Sequence, residues 1–240
     1  MSAPVKIWLD RDDKLLRLRL DRPKANILDA AMNAALEAAL DSHGHNAELR
    51  AILIDAEGPH FSFGASVEEH LPEQCAAMLD GFHRLVLKVL RSPTPVMVAI
   101  RGQCLGGGLE LASAAHLLFA TPEARLGQPE IELGVFAPAA SCLLPERIGL
   151  AAAEDLLLSG RSITGAEALA MGLVTALAAD PEEAALAWFD KHLAKKSASS
   201  LRFAVRAARA DLAERVAVKL AAVEKLYLSE LMATHDAVEG

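Results

Sequence analysis

The sequence predicts an α/β fold closed by a helical C-terminal part, on three observations. Short apolar runs with strand character alternate with stretches of helical period through the first half of the chain. At Val96–Ala115 a buried apolar run, a glycine turn and an Ala/Leu-rich run follow one another as VMVAIRGQCLGGGLELASAA. From Pro181 onward the composition is helical throughout.

Taken in order, Lys6–Leu9 and Lys14–Leu20 predict a β-hairpin. Leu16, Leu18 and Leu20 alternate with Arg17 and Arg19, which implies one buried and one wet face. Asp29 can cap a helix carrying Met32, Leu36 and Leu40 on one stripe. Ala51–Ile54 reads as a second buried strand, and EGPHFSFGAS (57–66) as a loop with unusual apolar content. Pro72 opens a long helix to Leu90, with Met78, Phe82, Leu85 and Val89 aligned. Val96–Ile100 is a strand, His116–Ala120 a further candidate, and 125–130 an ordered turn. Short helices follow around Pro145 and over Ala151–Leu158, and Thr164 caps another. Three helical segments finish the chain, at Pro181–Ala194, Ser199–Ala210 and Asp211 to about Val238.

At 240 residues the chain is large enough to bury a core as one domain. A net charge of −8 with no local basic run argues against a nucleic-acid surface. Cys75, Cys104 and Cys142 are odd in number and lack CxxC spacing, so free thiols in a reducing compartment are expected. Charges at Lys6, Asp10 and Arg11 interrupt any leader-like apolar stretch, and no run is long enough to span a bilayer. A soluble, cytoplasmic protein without membrane partners is the expectation. The eight histidines show no metal-ligand spacing, and no metal is expected.

The glycine turn carries the chemistry. Gly106, Gly107 and Gly108 let backbone N–H groups approach a ligand with no Cβ in the way. The helix N-terminus adds unpaired donors and a partial positive charge. Such a site can hold an oxyanion, with Glu110 one turn away. Neither GxxxxGK[ST] nor GxGxxG occurs, so a nucleotide site is not indicated. Taken alone, the glycines are equally compatible with close helix–strand packing and a solvated Glu110. By the same standard Glu130, Glu132, Glu68 and Glu69 read as exposed polar residues.

Five segments in register resemble the crotonase (enoyl-CoA hydratase/isomerase) superfamily. They are LDRPKANILDAAM (20–32), HFSFGAS (60–66), RGQCLGGGLELA (101–112), LGQPEIELGV (126–135) and GRSITGAEALAMGLV (160–174). The resemblance implies a ClpP/crotonase-like spiral of ββα turns over residues 1–180. It also implies a helical trimerisation region at 181–240, and a homotrimer or homohexamer. It places the oxyanion-hole donors on Ala65 and Gly107 and the catalytic carboxylates on Glu110 and Glu130. Substrate or CoA contacts fall on Lys24, Ala25, Phe63, Ser66 and Phe136. Acyl-CoA is then the substrate, and no separate cofactor is implied.

Within the family the similarity points to hydratases of cyclic dienoyl-CoA thioesters, lyases of anaerobic benzoyl-CoA degradation. A general short-chain 2-enoyl-CoA hydratase is the alternative, and a catalytically silent binding protein on the same frame a third reading. Ser66 stands where many relatives carry Asp, and FAPAA (136–140) replaces a glycine-rich segment. The bulk of Phe63, Phe136 and Pro138 predicts a compact acyl pocket bordered by this segment.

Overall fold

The computed structural model describes residues 3–44, 46–66 and 68–236. Strands β1 (Val5–Asp10) and β2 (Leu15–Leu20) pair antiparallel as the hairpin, with Ile7 opposite Leu18. Helix α1 (Ala30–His43) follows, and its start is fixed chemically. The Asp29 carboxylate accepts the Met32 N–H at 2.8 Å, satisfying one of the helix's orphan donors. β3 (Ala51–Ala56) then pairs parallel to β2. Helix α2 (Pro72–Leu90) crosses to β4 (Val96–Ile100), parallel to β3.

β5 (Gln103–Leu105) leads through the glycine turn into α3 (Gly107–Ala114). After it come β6 (Leu117–Ala120), β7 (Arg125–Gly127), a 3-10 turn over Pro129–Leu133 and α4 (Pro138–Ile148). Next are α5 (Leu150–Ser159), β8 (Ser162–Thr164), α6 (Gly165–Ala170) and β9 (Ala176–Leu177). α6 starts on a complete capping box between Thr164 and Glu167. The chain ends in α7 (Pro181–His192), α8 (Ala198–Ala208), α9 (Leu212–Ser229) and a 3-10 turn. The last helix stops at Ser229 and gives way to the 3-10 turn, short of the expected end near Val238, which itself lies outside the described residues. One sheet runs β1-β2-β3-β4-β6-β9 and a second runs β5-β7-β8.

The expected wet face of the hairpin is not wet. Arg17 is 3% exposed because α7 lies over that side of the large sheet, with Ala185, Leu186 and Phe189 packed on Leu53, Met97 and Phe119. The arginines survive burial through charge pairing. Arg17 donates to Asp55 at 2.6 Å and Glu182 at 2.5 Å, and Arg19 donates to Asp55 at 2.5 Å. The Arg17 guanidinium also lies 4.9 Å from the Trp8 ring centre. Alternating Leu and Arg therefore marks two buried faces, one apolar and one ionic.

Candidate active site

The site is built where the two sheets and α2 meet. Gly106, at φ 49°, turns the chain from β5 into α3, a conformation that favours glycine. A Cβ there would stand 2.7 Å from Oε1 of Glu130, so this glycine also makes room for a carboxylate. Gly107 begins α3, and a Cβ on it would meet the Ala65 nitrogen at 3.1 Å and the Phe82 ring at 3.3 Å. The Ala65 and Gly107 backbone N–H groups thus lie side by side. Among the described residues, neither is spent on a carbonyl of the fold.

Both carboxylates reach the same cavity. Glu110 projects from the first turn of α3 and is buried, 4% exposed. Its Oε1 accepts the Ala140 N–H at 2.8 Å, so it rests on the N-terminal turn of α4. Burial raises its pKa above the usual carboxylate range, while the Ala140 and Ala139 N–H groups and the neighbouring His83 pull it back down. Glu130 comes from the 3-10 turn behind Pro129. Burial, then the charge of Glu110, push it up to about 8. Buried Gln128 supports it from below. Turned with its NH2 toward Glu130, the amide donates to the two carboxyl oxygens at 3.1 and 3.0 Å. Turned the other way, its carbonyl can accept from a protonated Glu130. The pair is therefore arranged to hold one proton between two acids near neutral pH.

The cavity encloses about 190 Å³ between these groups. Its mouth carries Phe63, His70, Leu71 and Leu133, and its interior Met78, Leu79, Phe82, Phe136 and Tyr227. That volume lies below the roughly 300–1,000 Å³ of drug-sized sites, so it suits a small acyl group.

The expected residues separate into two groups. Glu110, Glu130, Ala65, Gly107, Phe63 and Phe136 border one cavity. Phe63, 43% exposed and edge-on to His60 at 5.0 Å, stands at the mouth rather than in the wall. Lys24, Ala25 and Ser66 do not border the cavity. Ala25 stays beside the mouth, its carbonyl accepting the Phe63 N–H at 2.9 Å. Within FAPAA only Phe136 and Pro138 face the cavity; Ala139 and Ala140 are buried, and their N–H groups serve Glu110. Glu69 is tied down, accepting the Ala30 N–H at the start of α1 at 3.2 Å, while Glu68 and Glu132 are exposed.

Three contributors escape the sequence reading. Gln128 has an ordinary turn composition around it. His83, buried beside Glu110, holds Glu224 of α9 at 2.6 Å through Nδ1, and only the packing of α2 on α9 reveals it. Tyr227, also on α9, lies 120 residues beyond Gly107 and carries no motif; "KLYLSEL" reads simply as amphipathic helix.

The enoyl-CoA hydratase/isomerase profile matches residues 10–240. The chain belongs to that family. It is 67% identical over 239 residues to the cyclohexa-1,5-dienecarbonyl-CoA hydratase of Thauera aromatica, covering 100% of this chain and 93% of that one. A probable enoyl-CoA hydratase of Bacillus subtilis is 38% identical over 182 residues, 74% of this chain and 70% of the relative. A crystal structure of an enoyl-CoA hydratase/isomerase from Mycobacterium paratuberculosis superimposes with a TM-score of 0.90 at 22% identity. It covers 100% of this chain and 97% of the other, a likeness of fold alone. The family fold is thus the α/β crotonase architecture that the five segments imply.

Proposed function

We propose that this protein is a hydro-lyase adding water reversibly to cyclohexa-1,5-diene-1-carbonyl-CoA, giving 6-hydroxycyclohex-1-ene-1-carbonyl-CoA, in anaerobic benzoyl-CoA degradation. The convergence of buried Glu110, half-buried Glu130 and two unspent N–H groups on one small cavity carries the reading. The 67% identity to a hydratase of that ring thioester selects the acyl group.

In this reading the thioester oxygen lies between the Ala65 and Gly107 N–H groups. They stabilise the negative charge that develops when water attacks the β-carbon. Glu110, whose pKa burial raises while the start of α4 and His83 offset part of that rise, takes the water's proton. Attack on the cross-conjugated ring leaves an extended dienolate. Glu130, which holds its proton up to about pH 8, delivers it to the ring carbon opposite the new hydroxyl. One proton is taken and one given, so the reaction needs no cofactor beyond the CoA of its substrate. Lys24, Ala25 and Ser66, outside the acyl cavity, are assigned in this reading to the CoA arm.

Run in D2O, the reaction is expected to place deuterium on the ring carbon para to the carbinol, read by NMR of the product. Deuterium on the carbon bearing the thioester would overturn the 1,4 course. The donor pair makes a second prediction. Gly107→Val should lower kcat/KM about 100- to 1,000-fold with an unchanged circular-dichroism spectrum. Its branched side chain would crowd the Ala65 nitrogen and Phe82. Near-normal turnover in that variant would remove Gly107 from the oxyanion site.

The same reading extends to assembly and location. Residues 1–180 form the spiral core and 181–240 the helical region of a trimer or hexamer. Exposed Leu150, Leu158, Phe203 and Val218 offer apolar surface for such contacts. Three buried free thiols suit the reducing cytoplasm. No helix among the described residues is long and apolar enough to cross a membrane.

A further inference from the structure

Tyr227 is the single tyrosine of the chain. It is 1% exposed, and its hydroxyl has no hydrogen-bond partner among the described residues. α9 carries it to the acyl cavity, where it borders the same space as Glu110 and Glu130. Its ring packs edge-on against Phe136, with centroids 5.2 Å apart. The surroundings are otherwise apolar: Cys75, Met78, Leu79 and Val135. A phenylalanine would fill this space equally well without stranding an O–H. Buried polar groups in native proteins have partners, so an exception at a cavity wall points to a partner that arrives with water or ligand.

The chemistry of the cavity identifies that partner. A reacting water gives one O–H to Glu110 and uses one lone pair to attack the acyl carbon. Its second lone pair needs a donor to hold the oxygen on line. The two backbone N–H groups are committed to the thioester oxygen. Among the lining side chains, His70 directs Nδ1 to the Ser66 carbonyl at 2.7 Å near the mouth. His83, whose Nε2 is also without a partner, does not border the cavity, so among the described residues that line it Tyr227 is the buried donor that is left. Burial above all raises its pKa, so its hydroxyl stays protonated at neutral pH.

Resting on the hydratase reading, we propose that the Tyr227 hydroxyl donates a hydrogen bond to the oxygen of the reacting water and, after addition, to the hydroxyl that the acyl group has gained. Tyr227 keeps its own proton throughout: water loses one to Glu110, and the dienolate gains one from Glu130. The contact is made to the transition state and product but not to an acyl group lacking oxygen at that carbon. It therefore distinguishes hydroxyacyl from unsubstituted acyl thioesters.

The test is Tyr227→Phe, which keeps the ring and its packing on Phe136. A melting temperature at or above wild type would show that the fold is intact. The variant is expected to lose about 10- to 100-fold in kcat/KM in both directions. KM for 6-hydroxycyclohex-1-ene-1-carbonyl-CoA should rise, while Kd for cyclohexanecarbonyl-CoA, which has no such hydroxyl, should stay at the wild-type value. Unchanged kcat/KM, or equal weakening of both esters, would reduce Tyr227 to a packing residue. Wild-type enzyme assayed alongside separates this from the substrate assignment. If wild type hydrates crotonyl-CoA and not the ring, the substrate assignment falls. The same variant is then read with 3-hydroxybutyryl-CoA against butyryl-CoA, with the same two outcomes. Wild type inactive on both thioesters would end both proposals.

Discussion

Glu110→Gln and Glu130→Gln are each expected to lower kcat by about 100- to 10,000-fold while leaving the affinity for an unreactive CoA ester almost unchanged. The substitution keeps shape and removes only the proton. A glutamine oxygen at 110 can still accept the Ala140 N–H, and an amide at 130 can still pair with Gln128. What neither can do is take a proton from water or give one to the dienolate. The pH profile should sharpen the result. Wild-type kcat/KM is expected to be bell-shaped, because one acid must be charged and the other neutral; its alkaline limb reflects Glu130, at about 8. Near wild-type turnover in either variant would remove that glutamate from the mechanism.

Stability should move the opposite way. Glu130 in the folded protein holds its proton to about pH 8, against 4.5 for the unperturbed group, so the folded state binds more protons between those values. Its contribution to stability therefore falls as pH rises through that window. Glu130→Gln removes this penalty and is expected to melt higher than wild type at pH 8, the gain shrinking toward pH 5. A site that gains stability when its acid is deleted is one held together against its own electrostatics.

How far the site was legible follows from what each residue needs. Asp29, the Pro72 start of α2 and the Val96–Ile100 strand depend on local chemistry, and the sequence states them. The strands β5, β7, β8 and β9 span only 2–3 residues each and show no period to read. Glu110 and Glu130 were legible through resemblance, since each alone is an unremarkable polar residue. Arg17 looked wet because the helix that covers it begins at Pro181, and a strand's pattern says nothing about what is laid over it later. Gln128, His83 and Tyr227 share that difficulty. Each acts through a neighbour far away in the chain, or across a turn, and its residue type carries no signal until the fold brings the partners together.

The second large effect is in substrate choice. The interior of the cavity ends on Met78, Leu79, Phe82 and Tyr227, all buried, on α2 and α9. α9 packs on both α2 and α4, so this end wall cannot move without opening the contacts between those helices. Phe136 and Pro138, at the start of α4, close the side next to Glu110. A six-membered ring places all its carbons near the carboxylates. A straight chain of equal or greater length must run away from them, into the end wall. Each methylene that has no room costs roughly 1–3 kcal/mol in kcat/KM. Discrimination should therefore rise with every carbon beyond about six. Measured kcat/KM is expected to be far higher for cyclohexadienecarbonyl-CoA than for crotonyl-CoA, which leaves much of the cavity unfilled, and negligible for decenoyl-CoA. Phe136→Ala should relax the limit, admitting a few more carbons at the expense of the ring, because it removes a wall and the edge contact that holds Tyr227. Efficient hydration of decenoyl-CoA by the unaltered enzyme would show that α2 and α9 part to form a tunnel. The cyclic substrate would then have to be given up, with the two glutamates and their donors left to a general enoyl-CoA hydratase.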